Sequence, residues 1–229
     1  LAIAMSDSVI QAVEAFGAYA GKPPARQLRA MMGLWPNYCQ IVTTEDSGIK
    51  TFRDLKGKRV GVGAPNSGVE LNARMMFEAH GMTYNDCKVD YLNYGEAIEQ
   101  MKNGLCDAAF TTSGLGNATI RELGLTKKIA FVPMEGKPLK YLLNKYPFYL
   151  QGTIPAATYG TARDTTTAAV MNIMLVDETL PADVVYDLLE HIYSPAGLEA
   201  LHAAHGVARN NIRLETALHG ITGTSVPFH

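Results

Sequence analysis

A loop of small residues after a predicted strand has the pattern best suited to holding an anion. Residues 58–62 read as a strand, residues 63–68 as a loop, and an apolar helix begins at Val69. Free N–H groups at a helix start, together with the helix dipole, attract negative charge. A P-loop would need Lys and Ser or Thr where Val69 and Glu70 stand, which excludes a nucleotide-phosphate site of that type. The loop predicts either a carboxylate cradle or an ordinary helix cap at Asn66 or Ser67.

Three hydroxyl residues, Thr111, Thr112 and Ser113, follow a second predicted strand. In open α/β sheets, ligands bind outside the carboxyl ends of the strands, so these hydroxyls are candidates to contact a polar ligand. The alternative is a polar turn that caps the next helix. A hydrolase nucleophile elbow is excluded, because Thr111 stands where its first glycine is required.

An aromatic pair, Trp35 and Tyr38, lies at the start of a strand predicted over residues 38–43 and could form the floor of a pocket. Packing in the core is an equally good interpretation of Trp35. His202 and His205 share one helix face, but no third ligand follows at a zinc-site spacing, so we expect no metal and no cofactor. No nucleophile and base are paired by the sequence, and we expect no enzyme activity.

Short strands and helices alternate along the chain, which predicts a largely parallel sheet with helices on both faces. Ser6, Asp7 and Ser8 are expected to cap a helix that continues to about Tyr19. A clear amphipathic helix is predicted over residues 181–193.

The composition is that of a globular protein, with 229 residues, 47% hydrophobic, 18% charged and a net charge of −2. The absence of a basic run argues against nucleic acid as a partner. Cys39, Cys87 and Cys106 stand alone without a CxxC pair, which does not decide the compartment. The sequence begins with Leu1, not methionine, and its first residues already predict structure, so we expect the signal peptide of an exported protein to lie outside it.

Three groups of segments make the chain resemble the TAXI family of solute-binding proteins, which serve TRAP transporters. The first group is 46–51, 54–60 and 63–74; the second is 90–92, 96–97, 104–109 and 112–114; the third is 146–149, 153–159 and 180–186. The resemblance implies a type II periplasmic-binding-protein fold, with two α/β lobes joined by crossing hinge strands. It places residues 1–42 and 155–229 in lobe I and residues 43–154 in lobe II. A glycine-rich segment of the family has no counterpart here, so we expect lobe I to be incomplete.

The resemblance further implies a periplasmic receptor that closes over a small organic acid or acidic amino acid. Glutamate, glutamine or a C4–C5 dicarboxylate is expected, with delivery to the membrane components of a TRAP transporter. The residues expected to contact this ligand are Asp7, Trp35, Tyr38, Asn66, Ser67, Gly68, Thr112 and Ser113. Within this set, the 66–68 loop would bind a carboxylate and Asp7 would bind an ammonium group. The competing hypotheses are an enzyme or a ligand-sensing domain of a regulator, because one fold hosts many functions.

Overall fold

The computed structural model describes residues 1–204 and 206–229, and the chain divides into two compact units. Unit 1 contains Leu1–Asn37, Pro147–Tyr149 and Val170–His229, and unit 2 contains Tyr38–Tyr146 and Leu150–Ala169. The lobes implied by the resemblance, 1–42 with 155–229 and 43–154, stay a prediction.

Unit 1 begins with strand β1 (Ala2–Met5), which pairs antiparallel with β8 (Thr165–Asp177) from Ala2 opposite Leu175 to Met5 opposite Asn172. Its other elements are α1 (Ser6–Glu14), the first part of β2 (Leu28–Thr44), α7 (Ala182–Tyr193), α8 (Pro195–Ala204) and α9 (Gly206–Asn211). A buried apolar cluster forms its core: Met31, Met32, Leu34, Val176, Val185, Ala208 and Ile212. No helix in the described part of the chain has the length and apolar character needed to cross a bilayer.

The predicted cap and length of the first helix are wrong. Helix α1 has Met5 at its N-cap, without a capping side chain, and it ends at Glu14. The Ser6 hydroxyl is buried and accepts the N–H of Met171 at 3.2 Å, so it is engaged with β8 instead of the helix end. At the other end, Ala15 adopts a left-handed conformation that stops the helix.

Unit 2 contains most of the alternating strands and helices. They are β3 (Arg59–Gly61), α2 (Gly68–Ala79), β4 (Lys88–Asp90), α3 (Tyr94–Lys102), β5 (Ala108–Ser113), α4 (Ala118–Gly124), β6 (Ile129–Phe131), α5 (Gly136–Lys145), β7 (Tyr149–Ile154) and α6 (Ala156–Tyr159). All residues of β7 except Tyr149 belong to this unit.

The sheet of unit 2 is mixed, which corrects the prediction of a largely parallel sheet. Strands β4, β3 and β5 are parallel neighbours, but β2 runs antiparallel to both β5 and β6. Parallel neighbours need a crossover helix, which α2 and α3 provide between β3, β4 and β5. Strand β2 continues into unit 2 directly from residues of unit 1, without such a crossover. The alternation of strands and helices therefore does not predict its direction.

Helices cover both faces of this sheet, as predicted. On one face, Ala109 packs with Ala97 of α3 and Ile120 of α4. The neighbouring residue on β5, Phe110, points to the opposite face and contacts Phe77 of α2 at a ring-centroid distance of 5.8 Å. The sheet is therefore held rigidly between two apolar layers, and its strand ends are free to carry polar loops.

Candidate functional site

The carboxyl ends of three parallel strands meet at one edge of the unit 2 sheet, which we call the carboxyl edge. The register pairs Gly61 of β3 with Asp90 of β4 and with Ala109 of β5. Helices α2, α3 and α4 follow these strands in turn, and each begins at this edge behind a capping side chain from Ser67, Asn93 or Asn117. The edge therefore collects helix N-termini, whose free N–H groups favour a negatively charged ligand.

The loop before α2 is a tightly packed part of the carboxyl edge. Gly63 has φ of +94°, and a Cβ there would lie 2.8 Å from Val69 Cβ and 3.0 Å from Ser67 Oγ. Asn66 is exposed and also adopts a left-handed φ, of 59°. The Ser67 hydroxyl accepts the Glu70 N–H at 3.3 Å. Gly68 and Val69 are then the first helical residues, whose N–H groups have no acceptor within the helix.

Tyr38 and Ser113 lie directly opposite each other on β2 and β5, so their side chains share one face of the sheet. The Ser113 hydroxyl accepts hydrogen bonds from Gln40 Nε2 at 3.0 Å and Asn117 Nδ2 at 3.1 Å, and it donates to Gly114 O at 3.3 Å. A ligand that uses this hydroxyl must replace one of these partners. Burial raises the pKa of Tyr38, so its phenol stays protonated at neutral pH.

Thr112 points to the face opposite Ser113, because side chains alternate along a strand. It is buried, and its Oγ1 lies 3.9 Å from the Sγ of its cross-strand partner Cys39. The Tyr94 hydroxyl donates to Thr112 O at 2.7 Å and accepts the Thr112 N–H at 3.1 Å. The two hydroxyls predicted to bind one ligand therefore reach different sides of the sheet.

Asp7 and Trp35 belong to unit 1, not to the carboxyl edge. Asp7 is buried in the first turn of α1, where one carboxylate oxygen accepts the Ser8 N–H at 2.8 Å. Trp35 is half-buried and packs against the apolar cluster of unit 1, as its core interpretation expects. Its carbonyl oxygen accepts Asn172 Nδ2 at 3.0 Å.

Three residues that the sequence analysis did not single out hold the end of β5 in place. Tyr159 donates to Gln40 Oε1 at 2.7 Å and accepts the Asn117 N–H at 2.9 Å. Gln40 is fully buried in an otherwise apolar stretch of strand, and a polar residue in such a run was the available signal. Tyr159, on the short helix α6, carried no signal of its own.

Two charged side chains of α2, Glu70 and Arg74, interact with each other. The Glu70 carboxylate is buried; it forms an ion pair with Arg74 and accepts the Tyr84 hydroxyl at 3.1 Å. Arg74 is about half exposed, with a side-chain exposure of 56%, and lies over the Tyr84 ring. Among residues 1–204 and 206–229, no group of three His, Cys, Asp or Glu side chains is arranged to hold a metal ion. His205, one of the two histidines considered for a metal site, lies outside the described residues.

The model of the NMT1-like family matches residues 1–229. The chain belongs to the NMT1-like family. This family match covers all the strand ends and helix starts described above.

Solved structures similar to this NMT1-like chain have low sequence identity to it. XAC2383 from Xanthomonas citri, bound to a chloride ion, is 9% identical over 87% of this chain and 66% of that one, with a TM-score of 0.52. A TctC solute-binding protein from Polaromonas is 14% identical over 91% and 65%, with a TM-score of 0.49. A putative L-cystine ABC transporter from Listeria monocytogenes is 18% identical over 81% and 64%, with a TM-score of 0.46.

The fold of this NMT1-like protein is the type II periplasmic-binding-protein fold, as the resemblance implied. The chain spans between 64% and 66% of the length of the three solved structures.

Proposed function

We propose that this chain is the ligand-binding part of a periplasmic solute receptor, which binds a small molecule and does no chemistry on it. One observation carries the proposal: the N-terminus of α2, capped by Ser67 and preceded by the Gly63 turn, opens at the carboxyl edge. Ligands of α/β sheets bind at such edges. Membership of the NMT1-like family and the binding-protein fold support the same function.

The ligand that fits this edge carries a carboxylate. The N–H groups of Gly68 and Val69 and the Asn66 side chain are available as donors to one carboxylate, at the positive end of the helix dipole. A second polar group of the ligand would contact Thr112 or Ser113. We therefore propose a small organic acid or an acidic amino acid, with glutamate, glutamine or a C4–C5 dicarboxylate as first choices.

The membrane partner in this proposal comes from the resemblance to the TAXI family. In this proposal the loaded protein delivers its ligand to the membrane components of a TRAP transporter. In unit 1, Asp7 would bind an ammonium group of an amino-acid ligand and Trp35 would pack against carbon; in unit 2, Tyr38 would pack against carbon. These three roles rest on the family resemblance alone.

A ligand-sensing or enzymatic domain on the same fold is the alternative. The contacts of Ser113 favour binding over catalysis. Its hydroxyl donates to a backbone carbonyl and accepts from two amide groups, and none of these partners is a base that could activate it.

A thermal-shift screen of amino acids and organic acids tests the proposal. A ligand present at one hundred times its Kd adds about 2.7 kcal/mol to the free energy of unfolding, which raises the melting temperature measurably. We expect a rise with one acidic ligand, and NMR spectra of that ligand should stay unchanged over hours of incubation. Conversion of the ligand would support the enzyme alternative, and no rise with any acid would contradict the proposed ligand class.

A further inference from the structure

Unit 2 has a cavity of about 390 Å³ at the edge opposite the carboxyl edge. Along the β2–β5 ladder, Tyr38 faces Ser113 and Thr43 faces Ala108, so Thr43 lies beside the start of β5. The five residue steps from Tyr38 to Thr43 span about 17 Å of strand. Glu45, just beyond the end of β2, is on the cavity wall, so this far-edge cavity is separate from the proposed acid site.

The floor of the far-edge cavity is apolar and well ordered by packing. Ile49, Ile129 and Phe131 line it, and each is at most 5% exposed. Thr165, at the start of β8, is also on its wall and is only 4% exposed. A volume of this size is within the range of about 300–1,000 Å³ that is usual for small-molecule sites. The floor can therefore bury a short hydrocarbon body.

The rim of the far-edge cavity is cationic. Lys50 and Arg163 line it, and within the described residues neither side chain forms an ion pair. An adjoining cavity of about 350 Å³ shares Glu45 and adds Lys127 and Lys128. Four basic residues and one acidic residue, Glu45, thus line the two cavities. Lys50 and Lys127 also lie near the carboxylates of Asp54 and Asp46, which leaves Arg163 and Lys128 as further positive charges.

We propose that the far-edge cavity is a second ligand site, specific for an amphipathic monocarboxylate. The apolar body of the ligand would contact Ile49, Ile129 and Phe131, and its carboxylate would lie between Lys50 and Arg163. The site differs in chemistry from the carboxyl edge, where backbone N–H groups would bind a polar acid. A dicarboxylate bound here would place its second charge against the apolar floor, which is unfavourable because a charge loses its hydration there.

Hexanoate is the probe for this site, with acetate and hexanol as matched controls that carry only the charge or only the chain. Titrations followed by ¹H–¹⁵N NMR locate the binding, since amide shifts of Ile49, Ile129 and Ala162 report the cavity directly. We expect hexanoate to shift these amides at concentrations where acetate and hexanol do not. Equal shifts with hexanol, or shifts spread over exposed lysines elsewhere, would overturn the proposal.

Two variants and one control test the residues. The double variant Lys50→Gln/Arg163→Gln should weaken hexanoate binding about tenfold, the effect of losing two partly exposed charge contacts. Ala162→Trp, at an exposed position on the rim, should block the cavity without touching the charges. The control Lys137→Gln/Lys140→Gln removes two exposed lysines of α5 and should leave binding unchanged. Unfolding midpoints confirm that each variant is folded, and unchanged binding in a folded Ala162→Trp variant would contradict the site.

Discussion

The Gln40 side-chain amide donates a hydrogen bond to the Ser113 hydroxyl across the β2–β5 ladder, with 3.0 Å between Nε2 and Oγ. The other end of the same amide, Oε1, accepts the Tyr159 hydroxyl at 2.7 Å. Burial raises the pKa of Tyr159, which keeps this donor protonated. One buried glutamine therefore links α6 to the end of β5, where the proposed ligand would bind.

Replacing Gln40 by Leu should lower the free energy of unfolding by about 1–3 kcal/mol, because its half-buried partners Ser113 and Tyr159 lose their hydrogen bonds. Gln151→Leu is the matched control, since Gln151 is exposed on strand β7. Urea denaturation of both variants measures the difference. Equal midpoints would show that the Gln40 network does not stabilise the fold.

Ser67→Asp separates the two interpretations of the loop before α2. Aspartate is as good a helix cap as serine, so the free energy of unfolding should stay within about 0.5 kcal/mol of its original value. A carboxylate at this position repels an acidic ligand, and we expect its affinity to fall more than about tenfold. Calorimetric titration with the acid found by the screen gives the affinity. Asn93→Asp also places an aspartate at a helix cap, that of α3, and should retain tighter binding than Ser67→Asp. If Ser67→Asp binds the acid as tightly as the unmodified chain, the loop before α2 is only a helix cap.

Gly63→Ala should be more destabilising than Gly57→Ala. Both glycines have positive φ, +94° and +75°, so each alanine incurs backbone strain of about 1–2 kcal/mol. Only at Gly63 does the new Cβ also meet other atoms, at 2.8 Å from Val69 Cβ, whereas Gly57 has open space. We expect Gly63→Ala to cost about 1 kcal/mol more in thermal or urea unfolding. A larger loss of stability for Gly57→Ala than for Gly63→Ala would contradict the close packing around Gly63.

His80 should make the stability depend on pH. Burial lowers the pKa of His80, whose ring stacks on Phe52 at 3.9 Å between centroids. The unfolded chain, with an ordinary pKa of about 6.5, then binds more protons than the folded chain. Stability from this group is therefore fully present above about pH 6.5 and is lost as pH falls through the folded-state pKa.

The variant His80→Phe keeps an aromatic ring on Phe52 and removes the titration, so its unfolding midpoint should fall less between about pH 7.5 and pH 5. His191→Phe makes the same substitution at an exposed position and serves as the control for the exchange of side chain. Parallel slopes for the His80→Phe variant and the unmodified chain would exclude His80 as the source.

Elements that are determined by the spacing and capping of neighbouring residues could be predicted from the sequence. The strand, loop and helix around Ser67 followed from spacing and capping chemistry, and the structure has the cap at that residue. The 17-residue strand β2 was predicted only from Tyr38 onward, because its first half contains Gly33 and Pro36, which usually interrupt strands. The partners of Gln40 and Ser6 depend on tertiary contacts, with Tyr159 and Met171, that no short sequence window contains.

Trp35 is the single tryptophan of the chain, and it packs on the apolar cluster of unit 1. Light that excites tryptophan but not tyrosine therefore produces emission from unit 1 alone. Circular dichroism of the backbone, in contrast, averages over both units. A denaturation curve recorded by each signal on the same sample reveals whether the two units lose their structure in one transition or in two, without any label being introduced.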